Sequence, residues 1–227
     1  TINYTFGYTK LVIQNEEFIN YLKELFPTAY CELKFNSTYE LLIAVILSAQ
    51  CTDRRVNMVT KELFKKYNTP EQFALMPLEQ LEQEIKSCGF YHNKAKHIKQ
   101  ASESIKTILS ATNYDDLLSL AGVGRKTANV VSAVAYKANV IAVDTHVLRV
   151  SNRLGFTKSQ NPNICERDLV KRFKNNLDDL ITEWSCLADI IAKHKNRFVK
   201  HEVKNKVQVL PKEELVSNEE KNQLLRN

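Results

Sequence analysis

A lysine opening one helix and an aspartate opening the next can together do amine chemistry, and the chain offers such a pair in Lys126 and Asp144, eighteen positions apart. Lys126 falls in the first helical turn behind Gly122-Val123-Gly124-Arg125, where the positive end of the helix dipole disfavours a charged ammonium. A neutral amine attacks a sugar or carbonyl carbon and forms a Schiff base, which an arginine cannot do. On its own, a lysine in such a place is more often a surface contact to phosphate, and an aspartate before Thr145-His146 is most often a helix cap. The two duties of Asp144 are compatible. If the connection Asn139 to Val143 folds back across the helix that carries Lys126, the carboxylate comes near the amine. It can then stabilise positive charge developing on a sugar, or orient a proton transfer. His146 is read as structural and receives no catalytic role.

The glycines have chemistry of their own. Gly122 and Gly124 let the chain turn sharply just before a helix and bring backbone N–H groups, reinforced by the dipole, to a phosphate. A nucleotide-binding Walker loop is excluded, because Ser119 stands where its first glycine belongs. An ordinary helix–helix turn with a glycine stop is the competing reading of the hairpin.

Helices must position these residues. Ser37-Thr38-Tyr39-Glu40 is a capping-box pattern before LLIAVILSAQ, a nearly all-apolar helix expected in the middle of the fold. Thr52 caps a second helix with Val56, Val59, Leu63 and Tyr67 on one stripe. Pro70 and Pro77 each suit a first helical position, and Gly89 reads as the stop after LEQLEQEIKSC. Ala95, Ile98, Ala101, Ile105 and Ile108 make a further amphipathic helix. A helix–hairpin–helix spans 115–136, its second helix carrying Val130, Val131 and Val134 on one face. Asp144 caps THVLRVSNRL, with Gly155 as terminator, and two more helices are expected within Cys165 to Leu177 and Leu180 to Lys193.

Composition agrees with a helical protein. The 227 residues are 44% hydrophobic and 26% charged, which excludes disorder and permits one domain or two small ones. Five glycines and five prolines supply few turns for an all-β sandwich. No apolar run is long enough to span a membrane, and the first residues lack the basic start and apolar stretch of a secretion signal, so an intracellular protein is expected. The net charge of +6 favours an acidic partner such as nucleic acid. The five cysteines are scattered with no CxxC pair, so neither a disulfide framework nor a zinc knuckle is expected.

Three strings carry a resemblance. Leu47-Ser48-Ala49-Gln50-Cys51-Thr52-Asp53, Leu120-Ala121-Gly122-Val123-Gly124-Arg125-Lys126-Thr127-Ala128-Asn129-Val130-Val131 and Val143-Asp144-Thr145-His146-Val147-Leu148-Arg149-Val150 resemble, in order, the endonuclease III family of helix-hairpin-helix DNA glycosylases. The similarity runs from about Glu40 to Leu154. It implies bifunctional base excision repair: oxidised pyrimidines are removed and the abasic strand is nicked by β-elimination. On that template Lys126 attacks C1′ and Asp144 assists base departure. Gly122, Val123, Gly124, Arg125 and Thr127 hold phosphates near the lesion. Gln50 enters the gap left by the flipped base, and Asp53 serves as a helix cap or pocket residue. Phe90 stands where the family has an intercalating apolar residue; an ordinary core aromatic is the equal alternative.

The implied fold is all-α with two helical domains and a cleft between them. One is a six-helix barrel over 32–141 containing the hairpin motif. The other is a discontinuous domain of 1–31 plus 142–200, followed by a polar tail over 201–227. The implied partner is double-stranded DNA holding a damaged pyrimidine or an abasic site, bound by a monomer with no membrane involved, in cytoplasm or nucleoid if bacterial and in a nucleus if eukaryotic. One departure stands out. Family members commonly hold a [4Fe-4S] cluster through C-x6-C-x2-C-x5-C, yet this chain has no cysteine after Cys186 and a basic run, Lys193 to Lys206, in its place. A cluster-free protein with no bound metal is therefore expected, with Lys193, Lys195, Arg197, Lys200, Lys204 and Lys206 either solvated or attracting phosphate. Two alternatives stay open. One is a monofunctional mismatch or an 8-oxoguanine-type glycosylase of the same superfamily; the other is a non-catalytic DNA-binding hairpin protein.

Overall fold

The computed structural model describes residues 15–25, 31–107 and 114–174, and among these every regular element is a helix. The described residues fall into two compact units. One takes 31–107 and 114–142, the other 15–25 and 143–174.

The larger unit is built around α2 (Thr38–Ser48), with every residue from Glu40 to Leu47 buried. A helix apolar on all sides has nowhere to go but the interior, and each buried leucine or isoleucine there contributes about 1.5–3 kcal/mol. Against α2 pack α3 (Asp53–Lys66), α6 (Tyr91–Thr107) and α8 (Arg125–Tyr136). The two short helices α4 (Pro70–Leu75) and α5 (Leu78–Glu84) lie on α6, and α7 (Tyr114–Ser119) lies on α8.

The helix starts follow the expected chemistry with two shifts. Ser37 accepts the Glu40 N–H at 3.1 Å, but the Glu40 carboxylate passes Ser37 and accepts from the backbone N–H and side-chain amide of Asn36, at 2.6 and 3.0 Å. The box is thus displaced by one residue, and the complete one forms at Thr69 and Gln72 before α4 with Pro70 in the first turn. Pro77 is the N-cap of α5 rather than its first residue. Gly89 is not a helix stop. The helix α5 ends at Glu84 because Ile85 and Cys88 both turn into the core, the Cys88 N–H closing on the Ile85 carbonyl at 2.8 Å.

Two further expectations change in detail. On α8 only Val131 of the three valines is fully buried; the small residues Ala128, Ser132 and Ala133, with Asn129, take the rest of the interface and let helices approach closely. On α6, Ala95, Ile98 and Ala101 face the core and Ile105 is half-buried, while Ile108 lies outside the described residues. The same helix lends Lys99 to the end of α4, its ammonium donating to the carbonyls of Ala74 and Met76 at 2.6 and 2.9 Å.

The smaller unit holds α1 (Asn15–Leu25), α9 (Thr145–Arg153) and α10 (Pro162–Arg172) around Phe18, Phe156 and Phe173. Phe156 meets the other two rings edge-on, with centroids 5.0 and 5.4 Å away, and the Arg172 guanidinium sits 4.4 Å over its face. Gly155 ends α9 in the left-handed region at φ +69°, as its position predicts. The start of α10 is earlier than expected from Cys165, since Asn161 caps it and Pro162 fills its first position. The helix expected over Leu180 to Lys193, the basic run and the tail lie outside the described residues. Among the described residues no helix is long and apolar enough to cross a membrane.

Candidate functional site

Three buried side chains, Leu117, Leu120 and Val123, root the hairpin between α7 and α8 in the core. The turn is closed by the Leu120 N–H on the Leu117 carbonyl at 3.2 Å and the Val123 N–H on the Leu120 carbonyl at 3.1 Å. Val123 therefore serves the hairpin as an anchor whose N–H is already spent. Gly122 is at φ +74°, and a Cβ there would stand 2.6 Å from the Cβ of His97 on α6. Both its backbone angle and its close approach demand glycine. Gly124 differs in each respect. Its φ of −86° suits any residue, and a Cβ would meet nothing within 4 Å. As the N-cap of α8 it has no side chain to cover the helix's first amides, so an open approach leads to the positive end of the dipole. Arg125 and Lys126 are exposed on that first turn and Thr127 is half-buried.

A pair of glycine substitutions separates these roles. Gly122→Ala is expected to lower the melting temperature by several degrees, through about 1–2 kcal/mol of left-handed strain plus the clash with His97. Gly124→Ala should leave the melting temperature within about one degree while weakening phosphate binding at the head of α8, because the new methyl stands in the open approach. Thermal melts and a binding titration on both variants check this, and equal melting losses would contradict it.

Behind Lys126 the chain doubles back on itself. Asn129, one turn further along α8 and buried, donates its side-chain amide to the Ile141 carbonyl at 2.9 Å. The end of the connection within this unit is thereby pinned at Ile141 to the helix that carries Lys126. Asp144 is half-buried and caps α9 through Oδ1, which accepts the N–H groups of His146 and Val147, both at 2.8 Å. His146 is engaged locally, its Nδ1 accepting from Arg149 at 3.1 Å.

A second place on the larger unit gathers Gln50 and Phe90. Both are exposed and both lie in the left-handed region, at φ +54° and +58°. For a non-glycine residue that costs about 1–2 kcal/mol. Their loops run side by side, since a Cβ on Gly89 would lie 3.9 Å from the Gln50 carbonyl oxygen. Of the two sequence readings of Phe90, the core aromatic is removed: the ring is 65% exposed at the mouth of α6. Asp53 is the first residue of α3 and half-buried, and the cap is Thr52, which accepts the Arg55 N–H at 3.3 Å. Helix α6 joins the two places, carrying Phe90 at its start and meeting Gly122 two turns later at His97.

Sequence reasoning missed two buried polar residues, Asn129 and Lys94. Lys94 stands on the stripe of Ile98, Ala101 and Ile105, and a lysine in an apolar stripe was the available signal.

An iron–sulfur cubane needs four convergent thiolates. Cys31, Cys51 and Cys88 lie in the larger unit and Cys165 in the smaller. Among the described residues no three His, Cys, Asp or Glu side chains come together to hold a metal. These residues do not fit such a cluster.

The family profile described as HhH-GPD superfamily base excision DNA repair protein matches residues 43–175. Endonuclease III of Bacillus subtilis is 51% identical over 148 residues, covering 64% of this chain and 68% of that protein. Endonuclease III of Synechocystis is 45% identical over 159 residues, covering 68% and 73%. A solved structure of a trapped endonuclease III–DNA covalent intermediate superposes with a TM-score of 0.70 at 42% identity, covering 76% of this chain and 85% of that one. The chain belongs to the HhH-GPD superfamily of base excision DNA repair proteins, and within it to the endonuclease III family.

Proposed function

We propose that the chain is a DNA glycosylase and abasic-site lyase that removes oxidised pyrimidines from double-stranded DNA, with Lys126 as nucleophile and Asp144 as the carboxylate that assists it. The observation that carries this reading is Lys126 exposed on the first turn of α8, directly behind the open Gly124 end of a rooted hairpin. In this family such a hairpin precedes a reactive amine, and the endonuclease III neighbour has been trapped in a covalent complex with DNA.

The chemistry balances with these residues and water alone. The Lys126 Nζ forms a bond to C1′ while the glycosidic C–N bond breaks and the base leaves with a proton. The Asp144 carboxylate stabilises positive charge on the opening sugar, where a fixed anion is worth far more than in water. Loss of a C2′ proton then expels the 3′ phosphate, and water hydrolyses the imine to free the lysine. Gly124, Arg125 and Thr127 hold a backbone phosphate at the head of α8, with Gly122 setting the turn and Val123 anchoring it. Gln50 and Phe90 fill the duplex where the nucleotide leaves, offsetting a few kcal/mol of unstacking. Asp53 shapes the start of α3 beside Gln50. The chain works as a monomer on one lesion and without an iron–sulfur cluster.

A test combines these points. Protein shown by metal analysis to hold no iron is incubated with duplexes containing thymine glycol. Base release together with strand cleavage supports the reading. Base release without cleavage favours a monofunctional enzyme, and binding with neither favours a non-catalytic hairpin protein.

A further inference from the structure

Lys94 is a buried cation that the proposed chemistry does not use. Its side chain is 5% exposed, and its ammonium donates to the Leu47 carbonyl at 2.9 Å. Burial holds its pKa below the usual lysine value, while the thiols of Cys51 and Cys88 face it. Burial pushes the Cys88 thiol up to about 11, so it stays protonated at neutral pH. Keeping an amine in such surroundings costs free energy that a methionine of similar length would not cost. The site must therefore use what a methionine cannot do, which is donate a hydrogen bond.

Its two partners show what it holds. Leu47 is in the last turn of α2, where carbonyls have no partner within the helix, and the chain then turns through Gln50 with the Cys51 N–H on the Ser48 carbonyl at 3.0 Å. The backbone N–H of Lys94 donates to the Phe90 carbonyl at 3.1 Å, the bond that opens α6. The opening bond of α6 is one that any residue here would make. The Lys94 side chain adds the tie from that first turn to the end of α2, and the two ends of the tie lie within four residues of Phe90 and Gln50, both left-handed and exposed. Left-handed non-glycine residues persist only where the surroundings over-determine them.

We infer that Lys94 is a positioning residue, an internal clamp that holds Gln50 and Phe90 side by side in the strained conformations from which they enter duplex DNA. The inference rests on the reading of those two side chains given under the proposed function. Its chemistry is specific: a long side chain with a donor at its tip is needed, so arginine can substitute and methionine cannot.

The test compares the natural chain with Lys94→Met, Lys94→Arg and Phe90→Ala on an abasic site held in a duplex and in a single strand. A single strand needs no nucleotide extrusion. Borohydride trapping by Lys94→Met is expected to slow about tenfold on the duplex and to stay within about twofold on the single strand, with Lys94→Arg restoring most of the loss. In a Phe90→Ala background the Lys94→Met change should cost clearly less than in the natural chain, because one of the two side chains it positions is gone. A parallel readout needs no chemistry: 2-aminopurine beside the abasic site brightens when unstacked, and Lys94→Met should lose most of that signal at saturating protein. Should Lys94→Met melt far below the natural chain, Lys94→Gln, too short to reach the carbonyl, takes its place with the same expectations. Equal slowing on both substrates, an unchanged duplex rate, or full cost persisting without Phe90 would overturn the clamp. If the natural chain forms no adduct at all, the lyase reading fails instead, and the fluorescence comparison decides the clamp by itself.

Discussion

Replacing Lys126 by glutamine should reduce strand cleavage at an abasic site by at least about a thousandfold, the scale on which enzymes lose rate when a covalent nucleophile is removed. The competing role for an exposed lysine at a helix start is a phosphate contact, and it predicts something different. Loss of one phosphate contact lowers affinity and reduces the slope of log affinity against log salt by about one, while cleavage at saturating DNA survives. A salt titration of binding beside a single-turnover cleavage assay therefore separates the two roles. A variant that binds nearly as well and does not cut supports the nucleophile; one that binds less and still cuts at saturation makes Lys126 a phosphate contact.

The second large effect is expected at Asp144, where the structure allows an unusually clean substitution. Oδ1 accepts two backbone N–H groups at the head of α9, and asparagine caps a helix about as well as aspartate. Asp144→Asn thus keeps the Oδ1 cap while removing the charge and turning the second carboxylate oxygen into an amide donor, at a dipole cost of about 0.3–1 kcal/mol. Base release should fall by about a hundredfold to a thousandfold while the melting temperature moves by no more than about two to three degrees. Asp144→Ala should show the same catalytic loss plus about 1 kcal/mol of instability from the missing cap. Parallel rates and melts read both. If activity in the Asn variant is near normal and only Ala is impaired, Asp144 is a cap and nothing more.

What was legible in the sequence divides along physical lines. Local rules worked where the cause is local. Thr52 and Asp144 are caps, Gly122 and Gly155 sit at positive φ, and the apolar run from Leu41 is buried because it has no polar face to show. They failed where a distant contact outweighed them. Gly89 looked like a helix stop, yet Ile85 and Cys88 draw the chain into the core five residues sooner, and the left-handed residue is Phe90. Glu40 belongs to a capping box by spacing, but Asn36 offers its carboxylate two donors instead of one.

The candidate site shows the same division. The turn at Gly122 and the cap at Asp144 could be read from hairpin and cap chemistry, because each depends on its neighbours in sequence, whereas the roles proposed for Lys126 and Asp144 in catalysis follow from the family resemblance. An apolar stripe interrupted by a lysine marks Lys94 as unusual, but does not reveal its partner, a carbonyl forty-seven residues away. Asn129 is similar: its place in the motif string says nothing of Ile141, and only the folded connection shows that it fastens the segment leading to Asp144. Phe90 lies between these cases. Its type suggested either core or wedge, and exposure decided for the surface.

If Lys126 bonds covalently to the sugar of a damaged nucleotide, reduction with borohydride during turnover on a thymine glycol duplex captures that bond. The trapped protein is digested and the DNA-bearing peptide identified by mass. A single adduct is expected on the peptide containing Lys126, absent from Lys126→Gln. Base release with no adduct, or an adduct on any other amine of the chain, would contradict it.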